Sequence, residues 1–199
     1  MSYLVPAEFV AKMVDAGESK IYMSTRDTLI RAYMAGAILA LAAVFAVSAT
    51  VMSGSALVGA ILFPVGFCML YLLGFDLLTG VFVLTPLAWL DKRPGVTINA
   101  ILKNWGLVFT GNFLGALTVA FMMAFVFTYG FSTPPNDIGT KIGHIGEART
   151  LGYAQYGLMG WLTIFMRGML CNWMVSTGVV GAMISTTVTI GYDAPWRQV

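Results

Sequence analysis

Charged residues are scarce in this chain: Asp, Glu, Lys and Arg make up 10% of its 199 residues, against about 25% in a soluble domain. The net charge is only +2, and there is no basic cluster, which excludes nucleic acid as a partner. With two cysteines and one histidine, the chain has no metal-ligand spacing and no disulfide framework. The apolar segments contain no paired acidic residues, no histidine cluster and no serine–base arrangement, which argues against an enzyme and against a metal or cofactor.

Hydrophobic residues, in contrast, make up 58% of the chain, and the mean hydropathy is +0.82. These values predict an all-α membrane protein, because only helices and closed barrels satisfy their backbone groups in lipid. Residues 1–31 are amphipathic and charged, and they are expected to lie on the cytoplasmic membrane surface. Residues 32–190 form the expected transmembrane domain, followed by a polar tail over 191–199. The expected spans are about 32–52, 56–90 with a break at 74–80, 105–131 and 157–190.

The second of these spans contains one acidic residue, Asp76, within the sequence "GFDLLTG". The uncharged run around it extends from Gly54 to Leu90, and a continuous helix of that length would measure about 55 Å, which exceeds the bilayer. A single crossing that is broken at the two glycines fits better. Asp76 then has two interpretations. A carboxylate at membrane depth marks a transport pathway, or it is a structural hydrogen-bonding group.

The basic residues of the connecting segments indicate an orientation. With a cytoplasmic N-terminus, most of the Lys and Arg residues fall on the inner face, whereas the outer connection over residues 132–150 contains only Lys141 and Arg149. This asymmetry follows the positive-inside rule. The outer connection is polar and is expected to be a loop. The sequence therefore predicts a multi-pass protein of the cytoplasmic membrane with its N-terminus inside.

Three motifs, "GFDLLTG", "KNWGLVFTGNFLGA" (residues 103–116) and "MRGMLCNWMV" (residues 166–175), resemble the formate/nitrite transporter family. The resemblance implies an aquaporin-like, inverted-repeat helical bundle with a broken second helix. It also implies a homopentamer with one pore inside each protomer. Members pass small monovalent anions such as formate, nitrite or hydrosulfide, some of them together with a proton. No cofactor is implied.

The resemblance also assigns roles to individual residues. Asp76 would accept hydrogen bonds from backbone amides and brace the broken-helix loop. Phe63 and Phe67 would line apolar constrictions, although aromatic residues at helical spacing are as often ordinary core. The remaining residues assigned to the pore are Leu77, Leu78, Thr79 and Asn172.

Arg167 lies inside the last apolar segment, about one and a half helical turns before Asn172. One interpretation is that its long side chain reaches back to the outer interface. The other is that it attracts anions into an outer vestibule. The sequence favours neither.

The family pattern continues beyond the fourth transmembrane helix with a second broken helix, which carries a histidine, and a sixth helix. This sequence shows no match to either, so the resemblance implies a chain truncated after that helix. The alternative to a conducting transporter is therefore a non-conducting subunit or fragment that assembles with full-length partners.

Overall fold

The computed structural model describes residues 5–184, and over that range the chain is helical with short connections. The expectation of an all-α membrane protein is confirmed. The predicted tail 191–199 and the end of the last span lie outside the described residues. In chain order the helices are α1 (Pro6–Tyr22), α2 (Thr25–Ser53), α3 (Ala56–Leu62), α4 (Pro64–Leu72), α5 (Leu78–Leu90), α6 (Ile98–Phe127), α7 (Asp137–Arg149), α8 (Leu151–Ala154) and α9 (Gly157–Ile184).

Three of these helices, α2, α6 and α9, are long and apolar enough to cross a membrane by length and composition. Two shorter apolar stretches, Ala56–Leu72 and Leu78–Leu90, lie on either side of a non-helical loop. The helix bounds differ from the expected spans: α2 begins at Thr25 rather than at Ala32, and α6 at Ile98 rather than at Trp105. The reason is local capping, because the side chains of Ser24 and Thr97 accept hydrogen bonds from the first turns of these helices.

Helices α2 and α6 pack closely against each other along a row of small residues. A Cβ added at Gly36 would overlap the carbonyl oxygen of Asn112, and one added at Gly115 would overlap that of Tyr33. At Gly111 the added Cβ would come within 2.5 Å of the Ala32 Cβ. Glycine at these sites therefore allows backbone-to-backbone contact, which is how helices associate in lipid. Gly111 and Gly115 thus lie one helical turn apart on the face of α6 that contacts α2.

Helix α1 lies against α5, the second half of the broken segment. Pro6 occupies its first turn, where a missing N–H costs nothing. Met13 is buried with Leu84 of α5 and Met183 of α9. Gly17 allows the closest approach, because a side chain there would overlap the Leu84 carbonyl. This contact holds the C-terminal turn of α1 beside the broken helix.

A cluster of charges fixes the same end of α1. Arg93, in the α5–α6 connection, forms ion pairs with Asp15 at 2.8 Å, Glu18 at 3.3 Å and Asp91 at 2.9 Å. The hydrogen bond to Asp91 and the three negative charges raise the pKa of Arg93 above its ordinary value. The Tyr22 hydroxyl donates a hydrogen bond to the Pro94 carbonyl at 2.6 Å. Exposed pairs of this kind contribute little individually, so their role here is to set position.

The segment expected to be a polar outer loop contains a helix instead, and that expectation was wrong. In α7, the Asn136 side chain accepts a hydrogen bond from the Gly139 N–H at 2.9 Å and so caps the first turn. Ile138, Ile142 and Ile145 recur on one face and are half-buried. The glycines of "DIGTKIGHIGEAR" hide this helical periodicity, because glycine disfavours helix interiors.

Candidate functional site

The loop over residues 73–77 interrupts the apolar segment between α4 and α5. Helix α4 ends in a Schellman motif, in which Phe75 N–H donates to Leu70 O at 3.0 Å and Gly74 N–H to Tyr71 O at 3.2 Å. Gly74 adopts the left-handed conformation that this motif requires, with φ of +68°. Arg31 of α2 donates to the Gly74 carbonyl at 3.3 Å. A cation therefore lies at the negative end of α4, where the helix dipole favours it.

Asp76, in the middle of the loop, is 3% exposed and pairs with a lysine from another helix. The distance from Asp76 Oδ1 to Lys20 Nζ of α1 is 2.5 Å. Within residues 5–184, Asp76 Oδ2 is buried without a hydrogen-bond partner. The contact found is thus an ion pair with α1, whereas the resemblance implied bonds to loop amides. The pair between the half-buried Lys20 and the buried Asp76 still ties the loop to α1.

Asn112 of α6 makes the other polar contacts to this loop. Its Nδ2 group donates to the carbonyl oxygens of Ala32 at 2.8 Å and Asp76 at 2.9 Å. Its Oδ1 accepts from the Leu78 N–H at 2.9 Å. Leu77, the residue before α5, has no side chain that could cap the helix. Asn112 therefore supplies the acceptor that the first turn of α5 would otherwise lack.

Sequence reasoning did not identify Asn112, although its motif was part of the family resemblance. A signal was present, because an amide within an apolar span must find partners there.

An apolar groove of about 420 Å³ opens beside the loop, between α2 and α6. It brings together two of the residues assigned to the pore, Phe63 and Leu77, and places Asn112 next to them. Phe67 packs edge-on against Phe63, with ring centroids 5.5 Å apart. The groove is lined by Gly36, Leu39, Ala40, Ala43, Phe63, Leu77, Phe109, Asn112, Phe113 and Ala116.

The two residues that follow Leu77 have different surroundings. Leu78 packs against the buried cluster of Ala32, Val81 and Val108. The Thr79 hydroxyl is buried, and no described residue makes a hydrogen bond with it. A buried hydroxyl in this state is costly in an apolar environment unless something else pairs with it.

Asn172 and Arg167 both lie on α9, away from the loop's polar contacts. Asn172 is half-buried, and its Oδ1 has no hydrogen-bond partner within the described part of the chain. The Arg167 guanidinium donates to the Tyr153 hydroxyl and lies 5.9 Å from the centre of that ring. Arg167 thus contacts α8, which directly follows the connection over residues 132–150 that was predicted to be outer.

The described residues contain no cluster of three or more His, Cys, Asp or Glu side chains that could hold a metal ion. The charged groups next to the loop are Lys20, Asp76 and Arg31. The site is therefore an irregular backbone segment beside an apolar groove, and one ion pair, the Arg31 bond to the Gly74 carbonyl and the Asn112 amide hydrogen bonds hold it in place.

Comparison with known proteins gives a consistent result. The family model described as "Formate/nitrite transporter" matches residues 7–192. The "Formate channel FocA" of Haemophilus influenzae is 33% identical over 162 residues, which cover 78% of this chain and 52% of that protein. The "Probable formate transporter" of Methanothermobacter thermautotrophicus is 31% identical over 133 residues, 63% of this chain and 47% of that protein.

A third relative, the "Uncharacterized transporter YrhG" of Bacillus subtilis, is 27% identical over 188 residues. That match covers 90% of this chain and 65% of the relative. The chain therefore spans between about half and two thirds of the length of these three proteins.

Proposed function

Because this chain belongs to the formate/nitrite transporter family, which contains transporters and not enzymes, we propose that it carries small monovalent anions across a membrane, with formate as the first candidate. Two of the relatives are named for formate, which supports that choice. Nitrite and hydrosulfide remain in the proposal as substrates of the same charge and similar size.

The observation that carries this proposal is the interrupted helix at residues 73–77. Irregular backbone at membrane depth persists only where it is buried in protein or lines a cavity. Here the loop is fixed by Lys20 and Asn112, and Leu77 lies in the groove beside it. In the proposal this groove and loop form one wall of the anion pathway.

In the proposal, Phe63 and Leu77 of the groove, together with the neighbouring Phe67 and Leu78, supply apolar constrictions, where a bare charge is costly. Thr79 of α5 and Asn172 of α9 supply polar groups from outside the groove, and both have a buried oxygen without a described partner. The amide N–H of Asn172 can donate to an anion, and its Oδ1 can accept from the O–H of a protonated acid. The proposal therefore includes transport of the anion together with a proton.

Two further parts of the proposal concern the surroundings of the pathway. Arg167 raises the local anion concentration at the outer mouth, and its contact with Tyr153 keeps it near that end. The chain assembles as a homopentamer in the cytoplasmic membrane with its N-terminus inside, which the charge asymmetry and the family support. Asp76 braces the loop through Lys20.

The test is formate flux into proteoliposomes that contain the full chain. Replacing Asn172 by Leu should lower flux about tenfold or more, because a hydrogen bond to a charged group contributes about 1.5–3 kcal/mol. The matched control is Thr177→Val on the same helix, which removes a hydroxyl whose one hydrogen bond within residues 5–184 goes to the Trp173 carbonyl. Equal flux in Asn172→Leu and the wild type, with both proteins folded by circular dichroism, would reject the role of Asn172 in the pathway.

A second candidate is a non-conducting subunit or fragment that assembles with full-length partners. The observation in its favour is the apolar surface of α9, where Trp161, Phe165 and Trp173 are 70%, 64% and 73% exposed. Formate flux measured with this chain alone, and again after co-expression with a full-length homologue, separates the two candidates. Flux in the first preparation excludes the second candidate.

A further inference from the structure

Asn112 forms all its hydrogen bonds to main-chain atoms, and two of them flank a single residue. The Asp76 carbonyl belongs to the peptide group before Leu77, and the Leu78 N–H belongs to the one after it. Both bond to the Asn112 amide, at 2.9 Å each. These bonds fix the peptide groups on either side of Leu77, which is extended with φ of −101° and ψ of 140°.

The third bond, to the Ala32 carbonyl at 2.8 Å, anchors the Asn112 amide itself. The close α2–α6 contact at Gly36 lies at the same level, because a Cβ there would overlap the Asn112 carbonyl. The amide thus has little freedom to move. Its position, and with it that of Leu77, is set by the backbone-to-backbone contact of α2 with α6.

We propose that Asn112 is a positioning residue that sets the width of the anion pathway at Leu77, and so the discrimination between anions of different size. This inference rests on the proposed function, since it assigns selectivity to the same groove. Leu77 and Asn112 both line the groove, so a change in the Asn112 amide shifts the Leu77 side chain, which narrows the groove. Asn112 acts through Leu77 and needs no contact with the anion.

Other contacts keep the rest of the loop in place when this amide is removed. Lys20 still pairs with Asp76, and Arg31 still binds the Gly74 carbonyl. Trp105 Nε1 still donates to the Thr85 hydroxyl at 3.0 Å, which holds α5 on α6. A variant at position 112 should therefore fold and assemble, with the backbone around Leu77 displaced.

The test compares Asn112→Ala and Asn112→Asp with the control Thr110→Val. An aspartate keeps the shape and can accept from the Leu78 N–H, but a carboxylate cannot donate to the Asp76 carbonyl. Thr110 lies two residues away on α6, and its hydroxyl bonds only to the Gly106 carbonyl at 2.8 Å. The first readout is the ratio of formate to acetate flux in proteoliposomes. Both Asn112 variants should change this ratio at least threefold, and the control less than twofold.

The second readout does not depend on transport. In the Cys68→Ser, Cys171→Ser background, Leu77→Cys reacts with a water-soluble thiol reagent at a rate that reports the surroundings of position 77. Adding Asn112→Ala should change this rate at least fivefold, and adding Thr110→Val less than twofold. If the Asn112→Ala protein does not assemble, the thiol reaction rate is measured with Asn112→Asp instead.

The outcomes are separable. If the wild type passes no formate, the proposed function fails, and the thiol reaction alone decides whether Asn112 positions Leu77. If the wild type conducts and the flux ratio of the Asn112 variants is unchanged, the inference is overturned while the transport function stands. An unchanged thiol reaction rate overturns it in either case.

Discussion

Lys20 and Asp76 form an ion pair between the end of α1 and the middle of the interrupted helix, with Nζ and Oδ1 2.5 Å apart. Asp76 is buried, and the Lys20 carbonyl in turn accepts a hydrogen bond from Asn104 of α6 at 3.1 Å. The pair therefore connects three elements that are distant in sequence. The attraction between the two charges contributes little net stability, but replacing only one of the two residues would leave a charge without its partner.

Removing one partner of this pair should be much worse than removing both. Lys20→Met leaves a buried carboxylate unpaired, which costs about 3–5 kcal/mol, whereas an apolar pair of similar volume is often neutral. We expect Lys20→Met to destabilise the protein strongly and Lys20→Met with Asp76→Leu to recover most of the loss. The free energy of unfolding in mixed detergent micelles measures both.

Lys12→Met is the matched control for this experiment. Lys12 lies on the same helix, and no ion pair to it is found among residues 5–184. It should therefore change stability little. A double variant as unstable as Lys20→Met would contradict the role of the pair.

The packing of α2 on α6 gives a second prediction. Gly111→Ala places a methyl group within 2.5 Å of the Ala32 Cβ and 3.0 Å of the Leu29 carbonyl. Overpacking of this kind costs about 1–3 kcal/mol. Gly106→Ala, on the same helix, meets nothing within 4 Å. It should stabilise by roughly 0.5–1 kcal/mol, because alanine favours the helix. Thermal unfolding in detergent distinguishes the two, and equal melting temperatures would refute the close contact.

Thr79 gives a third prediction, because its buried hydroxyl has no partner in the described chain. Thr79→Val keeps the shape and removes no hydrogen bond from the fold, so stability should be unchanged. If the hydroxyl binds the passing anion, formate flux should fall roughly threefold to tenfold, which corresponds to about 1 kcal/mol.

Thr85→Val is the comparison for Thr79. The Thr85 hydroxyl accepts from Trp105 Nε1 at 3.0 Å and donates to the Val81 carbonyl at 2.8 Å. This variant should lower stability by about 0.5–1.5 kcal/mol, because the half-buried indole N–H of Trp105 keeps only its longer hydrogen bond to the Val81 carbonyl, at 3.4 Å. Normal flux in Thr79→Val would remove Thr79 from the pathway.

The helical membrane class and the family could be predicted from the sequence, because composition and several ordered motifs determine them. The glycines and the aspartate of "GFDLLTG" also drew attention to the interrupted helix. Its supports could not be predicted, since Lys20 and Asn112 reach the loop from helices far away in the chain. Pairing of this kind depends on tertiary packing, and a single sequence does not encode it in any local pattern.

Local features were missed for a different reason. Pro64 begins a new helix directly after Phe63, so the first half of the broken segment is itself interrupted. The sequence analysis treated residues 56–73 as one helix. Helix α7 was missed because its glycines outweighed its isoleucine periodicity. In both places the helix propensity of single residues (proline and glycine) and the pattern of apolar residues gave different predictions. Contacts with the neighbouring helices decide between them, and a single sequence does not show those contacts.

The most direct measurement is formate flux after a bulky thiol reagent has been attached to Leu77→Cys, in the Cys68→Ser, Cys171→Ser background. If the pathway runs past the interrupted helix, complete modification should lower flux at least fivefold. The same treatment of Leu72→Cys, on the exposed surface of α4, should leave flux unchanged. Complete modification at position 77, verified by mass spectrometry, with flux equal to that of the untreated protein would contradict the account.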